Sequence, residues 1–482
     1  MVRTATDKLA LAVLLAALGC GDTSGPAPGT PRIDYVDGAI APVLVRGQAF
    51  VVEGFGFGDL PGTVQFPAAG GGETPGPVDS ITWSDLSVRA TVPDGAVAGT
   101  LAVVTTTGRR LTAAVRVLPR VDFDPATLSW SARFDFPRSP VGVALAVAEY
   151  PGAGGTLGAT IYAAGGAEPI GGDSVMAPDS GIHIARAAPG GALESWQRQP
   201  DNAALPVRRA FAAAAVATRY NSPSTGGVLY VIGGVDAAGR AQAGVLGATV
   251  TADAVAGPFV PLVPLPEPVA GASAVVKRGR IYLIGGTDSV GRPLRRVLVA
   301  RVRSDGRLDG WYAQPTLPLP RVYGGAVVLD ERVVAFGGVA DSVPPGGGLD
   351  PTPTRLVTGD TAALSLFSGF FTSAWGAGAP PLPEGRSQFA TLDLGNVVLA
   401  VGGMYGGAAT NSAETIAAAV AGDSLGAFAG PVGLSTIAGL GGGTLVVPAG
   451  ATWREADGGR HGVVIGGMDL ITRQRRAGSW GF

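Results

Sequence analysis

The strongest constraint in this chain is a recurring pair of glycines, each closing a short apolar run. The second glycine of the pair falls at Gly166, Gly234, Gly286, Gly338, Gly403 and Gly467. The runs before them, such as Ile281 to Ile284 and Val333 to Phe336, are too short for helices and read as buried strands that stop where a side chain does not fit. An aromatic follows each pair, at Trp196, Phe259, Trp311, Trp375, Phe428 and Trp480, and in three of these intervals the glycine-to-aromatic distance is 25 residues. The fullest copy runs from Lys277 to Gly338. There the glycine-ended strand is followed by a strand over 296–302, the turn Ser304-Asp305-Gly306, which is a strong hairpin signal, and Trp311. Leu319-Pro320-Arg321 then leads into a strand at 325–329 that opens the next copy. Four strands in about 50 residues is the period and content of one blade of a radial β-sheet.

The pattern resembles the kelch repeat, in which a strand, a glycine-ended strand, a third strand and a tryptophan-bearing fourth strand make one blade. The resemblance covers roughly residues 119 to 482 and implies a six-bladed β-propeller. Small residues suit the crowded inner strands, and bulky aromatics fill the wedge where outer strands splay, so Trp196, Trp311 and Trp375 read as packing between blades. Closing the ring needs a strand from the other end of the repeat region. Thr127-Leu128-Ser129-Trp130, followed by Phe136-Pro137-Arg138, has the fourth-strand signature without three strands before it, so the strand around Trp130 is expected to complete the sixth blade. In the competing arrangement Trp480 supplies that strand.

Residues 31–119 lack the repeat and carry seven short alternating runs, at 43–45, 50–58, 64–66, 80–85, 87–93, 99–104 and 113–118. These read as a β-sandwich. The Gly54-Phe-Gly-Phe-Gly58 turn, Trp83-Ser-Asp85 and Val92-Pro93 followed by Gly99 resemble the immunoglobulin-like IPT/TIG family, which implies a spacer or adhesion module without chemistry of its own. Trp83 is expected in its core. The fold class is thus all-β: an immunoglobulin-like β-sandwich (31–119) followed by a six-bladed kelch-like β-propeller (120–482).

Before the sandwich, Arg3 and Lys8 precede an unbroken apolar run from Leu9 to Leu18, closed by Gly19 and Cys20. Ten residues are too few to span a bilayer. The segment resembles a bacterial lipoprotein signal peptide over residues 1–20, with Cys20 as the lipid-attachment site, although Ala17 stands where that family favours leucine. Residues 21–30 then read as a flexible linker. The resemblance implies an exported protein, lipid-anchored in the cell envelope at the outer membrane or cell surface.

Chemistry-bearing residues are sparse. Cys20 is the only cysteine, which excludes an intrachain disulfide and a cysteine metal cluster. It also excludes the tyrosine–cysteine copper site of galactose oxidase, an enzyme that contains kelch repeats. A net charge of −2 offers no field for nucleic acid. His183 and His461, the only histidines, could meet only across the first and sixth blades, and neither a metal nor a cofactor is expected. Asp236, Asp288, Asp341 and Asp469 follow the glycine pairs and read as turn caps.

The candidate ligand-binding residues are Arg138, Arg209, Arg321 and Arg386, which enter the first strands of their blades; Val269 stands in that place after the second blade's aromatic, Phe259, and Ile437 or Ala438 in the last blade. In kelch propellers this loop lies near the axis, and in some members arginines there hold acidic peptides, so the resemblance implies a partial ring of guanidinium groups. Alternatively each arginine ties its loop to the adjoining blade. The expected function is a non-catalytic cell-envelope binding or adhesion protein that is monomeric, with a protein or glycan ligand, acidic if the arginines hold it, and the sandwich as spacer. The alternative is a propeller-based carbohydrate-active hydrolase or lyase.

Overall fold

In the computed structural model the glycine-ended runs become the second strands of six sheets arranged in a ring. The structure describes residues 29–40, 42–138, 140–151, 156–169, 176–188, 190–217, 227–330, 332–340, 360–363, 373–376, 382, 385–405, 410–411, 415–422, 424–430, 448–467 and 479–482. The leader with Cys20 and most of the linker lie outside these residues, as do Asp341, Ile437, Ala438 and Asp469.

The first strands, nearest the axis, are Ala144–Pro151, Ala213–Ala217, Ser273–Lys277, Gly325–Leu329, Ala390–Asp393 and Ala449–Arg454. Each touches the next, and the sixth touches the first, so the ring is closed. Each pairs antiparallel with its glycine-ended neighbour, for example Ser273↔Ile284 and Lys277↔Arg280 in blade III. Four-stranded order is complete in blades I, II, III, V and VI, and three strands of blade IV fall among the described residues.

Blade VI settles how the ring closes. Its third strand is Ser479–Gly481, and Ser131–Ala132 pairs against it as the outermost strand, with Trp480 opposite Ala132. Trp130 therefore holds the fourth-strand position, and Trp480 belongs to the third strand. The register agrees: Trp196, Phe259 and Trp311 each immediately precede a two-residue fourth strand, as Trp130 does.

The aromatics lie between blades. Six buried apolar clusters correspond to the six blade interfaces, and each holds one of them: Phe259, Trp311, Trp375, Phe428, Trp130 and Trp196, going round from the interface of blades I and II. Two indoles reach back to carbonyls beyond the preceding blade's aromatic, Trp311 Nε1 to Val263 O at 3.1 Å and Trp375 Nε1 to Pro315 O at 2.9 Å. A large ring thus fills the wedge while its polar atom finds a partner.

The glycine pairs also serve the interfaces. Both members of each pair have positive φ, such as 68° and 93° at Gly285 and Gly286. The second N–H donates to the loop entering the next blade, Gly286 N to Arg321 O at 2.8 Å and Gly338 N to Arg386 O at 2.7 Å. A Cβ on Gly285 would sit 2.2 Å from Arg321 O, so both the conformation and the close approach require glycine.

The N-terminal unit is a sandwich of a three-stranded sheet (Arg32–Val36, Ala49–Phe55, Ser87–Thr91) and a five-stranded sheet (Val43–Val45, Arg110–Leu118, Gly99–Val104, Thr63–Pro67, Glu73–Gly76) around one core containing Phe50, Phe66 and Trp83. The strand expected at 80–85 is instead a pair of side-chain-capped turns. Asp79 Oδ1 accepts from Ile81 N, and Ser84 Oγ accepts from Leu86 N and Ser87 N, which competes with ladder pairing.

Candidate functional site

The loops entering the first strands define the upper face of the propeller; the hairpins at the far ends of those strands define the lower face. An axial cavity of about 760 Å³ runs between them, walled largely by alanine and glycine of the first strands. The sandwich sits against its lower end, where Asp37, Val43 and Gln48 join the lining beside Lys277, Asp393 and Arg454.

That docking is specific. Asp37 Oδ1 and Oδ2 pair with Arg278 Nε at 3.0 Å and Lys277 Nζ at 3.3 Å, and Arg89 pairs with Asp330 at 3.3 Å. Gly38 lies so close to the Arg278-Gly279 turn that a Cβ would come within 2.3 Å of the Arg278 backbone. Burial alone would raise the Asp37 pKa, but the charges of Lys277 and Arg278 and their hydrogen bonds outweigh it and hold it below the usual value. The following linker is fixed too, with Phe123 N and O both bonded to the Asn396 side-chain amide at 2.9 Å. The sandwich is therefore a docked cap on the lower face.

The upper face places the four candidate arginines differently from the expected ring. Arg209, Arg321 and Arg386 are buried, at 5%, 2% and 4% exposure. Arg386 Nη1 donates to Gly402 O at 3.0 Å and Arg321 Nη1 to Gly337 O, in each case the first glycine of the arginine's own blade. Their own carbonyls accept from the preceding blade's glycine pair, so each residue staples two blades. Burial lowers the pKa of Arg209, partly opposed by Asp236. Arg138 is out of register: the carbonyl equivalent to that of Arg209 belongs to Pro140, which accepts from Gly467 N at 3.1 Å. Its side chain is exposed and pairs with Asp179 at 3.1 Å. The expected guanidinium ring is thus corrected to three buried arginines, each joining two blades through its carbonyl and two of them also bonded to their own blade through the guanidinium, and one surface ion pair, and none of the four lines the axial cavity.

What circles the axis is a chain of backbone bonds two residues further on. Phe211 N donates to Gly142 O at 2.8 Å, Gly271 N to Phe211 O at 2.9 Å, Tyr323 N to Gly271 O at 3.0 Å and Gln388 N to Tyr323 O at 2.9 Å. All five residues have positive φ, between 53° and 63°. The Phe211 and Tyr323 rings, 5.7 Å apart, pack over Gly142 and Gly271 within a buried cluster that includes Ala210, Ala270 and Val322. Sequence reading missed this ring. Its signal was the position two residues after each junction, occupied by Gly142, Phe211, Gly271, Tyr323 and Gln388.

Among the described residues, the cations facing solvent on the upper face include Arg138 and Arg240, paired at 3.1 Å with Asp179 and Asp236, and Arg208 and Arg292, with Val207 and Val290 exposed among them. Asp236 and Asp288 cap the turns that carry Arg240 and Arg292, each Oδ1 accepting two backbone N–H groups at 2.9–3.0 Å. Among the described residues no group of three His, Cys, Asp or Glu side chains is placed to hold a metal. His183 packs on Phe136, and burial lowers its pKa to about 4. His461 stacks on Trp453 and contacts Phe482 O and Glu455.

No family model matches the chain. Over 122 residues it is 30% identical to Kelch-like protein 38 of Homo sapiens, a match covering 25% of this chain and 20% of that protein. The chain thus matches about a fifth of that relative's length. The fold agrees with this likeness: an immunoglobulin-like sandwich followed by a six-bladed kelch-like propeller.

Proposed function

We propose that this is a non-catalytic binding or adhesion protein of the cell envelope, exported and anchored through a lipid on Cys20. Its sandwich is of the IPT/TIG type, and its propeller takes a protein or glycan ligand on the upper face, acting as a monomer. A kelch-type propeller is a protein-interaction scaffold. The observation that supports the choice of face is the docked sandwich: it occupies the lower end of the axis and leaves the capped turns above free. Arg240 and Arg292 stand on those turns, with Arg138 and Arg208 on the entering loops, and this set of solvent-facing cations favours an acidic partner.

The test replaces Arg138, Arg208 and Arg240 together by glutamate and measures binding to polygalacturonate and to a polyglutamate peptide. Wild type should bind one of them, with the variant weaker by about tenfold or more, since one lost charge-assisted bond already approaches that factor. Equal binding by both proteins, or none by wild type, refutes the reading of the face. An unmodified Cys20 thiol in the mass spectrum of membrane-fraction protein refutes the anchor.

A further inference from the structure

A second cavity, about 320 Å³, lies in the joint between sandwich and propeller. It opens past Arg120 and Asp122 and runs back to Gln48, Lys277, Asp393 and Arg454, where it adjoins the axial cavity. Five cations line it, and three already have carboxylates. Arg120 pairs with Asp122 at 2.9 Å, Arg454 with Glu149 at 2.5 Å, and Lys277 shares Asp37 with Arg278. The other two do not. Arg46 Nε donates to the Ala96 carbonyl at 2.9 Å, a neutral partner.

Arg460 lies against Gly395, where a Cβ would meet its Nη2 at 2.5 Å, and no hydrogen bond or ion pair holds its guanidinium among the described residues. Asp393, the acid that pulls on it most strongly, spends one oxygen on Gly395 N at 2.8 Å. Burial raises the pKa of Asp393 and lowers that of Arg460, so it works against the charged form of each. A guanidinium with five donors, held by packing in a solvent-connected cavity and left without an acceptor, is a preorganised anion receptor.

We propose that the joint cavity binds a small anion bearing a carboxylate or phosphoryl group, with Arg460 as its fork and Arg46 beside it, in a lining whose five cations outnumber its three carboxylates, Asp122, Asp330 and Asp393. The site is independent of the upper face. Its walls come from the sandwich and from blades III, IV, V and VI, so an occupant bridges both units.

The experiment titrates the full chain with inorganic phosphate, with galacturonate and, as the uncharged control, with galactose, following heat and melting temperature. Phosphate binding alone assigns a phosphoryl ligand, and galacturonate binding alone a sugar acid; either supports the proposal, provided galactose does not bind. Arg460→Gln should weaken binding about ten- to a hundredfold, the loss of one or two charge-assisted hydrogen bonds. Arg120→Gln, at the paired rim, should change it little. Arg460→Gln should also melt no lower than wild type, because it removes a charge without a partner. Arg460→Lys, which keeps the charge and loses the fork, should fall between, and it carries the test if the glutamine variant does not fold. The proposal is overturned if wild type binds neither anion, if galactose binds as well as galacturonate, or if Arg460→Gln binds like wild type.

Discussion

Replacing Trp130 tests the closure of the ring, because this side chain, far from the sixth blade in sequence, holds that blade to the fifth. Its indole is 4% exposed, packs edge-on against Phe482 with centroids 5.1 Å apart, and donates from Nε1 to Thr415 Oγ1 at 3.0 Å. Trp130→Ala removes a buried ring, which costs about 3–5 kcal/mol in a well-packed core. Thr415 is fully buried, so losing its partner adds about 1–3 kcal/mol of unmet hydrogen bonding. Trp130→Phe separates the two effects: it keeps most of the packing and should cost only the second amount. Urea unfolding followed by circular dichroism supplies both values, and wild type, Phe and Ala should rank in that order. The alanine variant should also aggregate, since releasing Ser131–Ala132 bares the edge of Ser479–Gly481. A cost below about 1 kcal/mol for Trp130→Ala would refute closure through this strand, for that is the range of an exposed substitution.

Two further changes probe the staples and the dock. Arg386→Met keeps the aliphatic stem but orphans the Gly402 carbonyl, so it should lower stability by about 1–3 kcal/mol while leaving upper-face binding intact; a lost ligand with unchanged stability would reverse the assignment. Asp37→Asn removes the carboxylate that Lys277 and Arg278 share in the joint and should cost about 3–5 kcal/mol at neutral pH, read as a lower melting temperature. The folded pKa of Asp37 lies below its unfolded 3.8, so its stabilisation is complete above that value and is lost as pH falls through the folded pKa. The gap between wild type and variant should therefore hold steady from about pH 8 to 5 and close only below about pH 4; a gap that closes on the alkaline side would contradict the ion-pair account.

The repeat was legible because its marks answer to geometry that few residues satisfy. Gly285 must adopt positive φ and lie 2.2 Å, measured from a notional Cβ, from the next blade's carbonyl, so glycine recurs and can be counted. The aromatic recurs because each interface leaves one wedge. The arginines recur for an equally structural reason, yet their partners could not be read. Arg321 and Arg386 each reach a carbonyl sixteen residues ahead, a bond that depends on how the loop turns and leaves no pattern of its own in the residue types. Arg138 shares a Pro-Arg dipeptide with the Pro320-Arg321 junction, although backbone pairing puts Pro140 in register. The docking of the sandwich was illegible for the same kind of reason: Asp37 and Arg278 are 241 residues apart, and nothing local to either names the other.

The backbone ring at the upper end of the axis shows what the fold retains against local preference. Phe211, Tyr323 and Gln388 hold left-handed φ values that cost a side-chain-bearing residue about 1–3 kcal/mol each, while Gly142 and Gly271 hold the same conformation without that penalty. Each ring bond returns about 0.5–1.5 kcal/mol, so the bonds alone do not favour a bulky residue over glycine at any of the three positions. The difference must come from the side chains. Phe211 and Tyr323 are 5% and 9% exposed in the apolar cluster they form with Ala210, Ala270 and Val322, and burying an aromatic of that size contributes about 1.5–3 kcal/mol, enough to offset the backbone term. The aromatics are thus retained for joining the loops of blades I to IV across the upper end of the axis, in one cluster with Ala210 and with Val235 and Ala241, which flank the turn that displays Arg240.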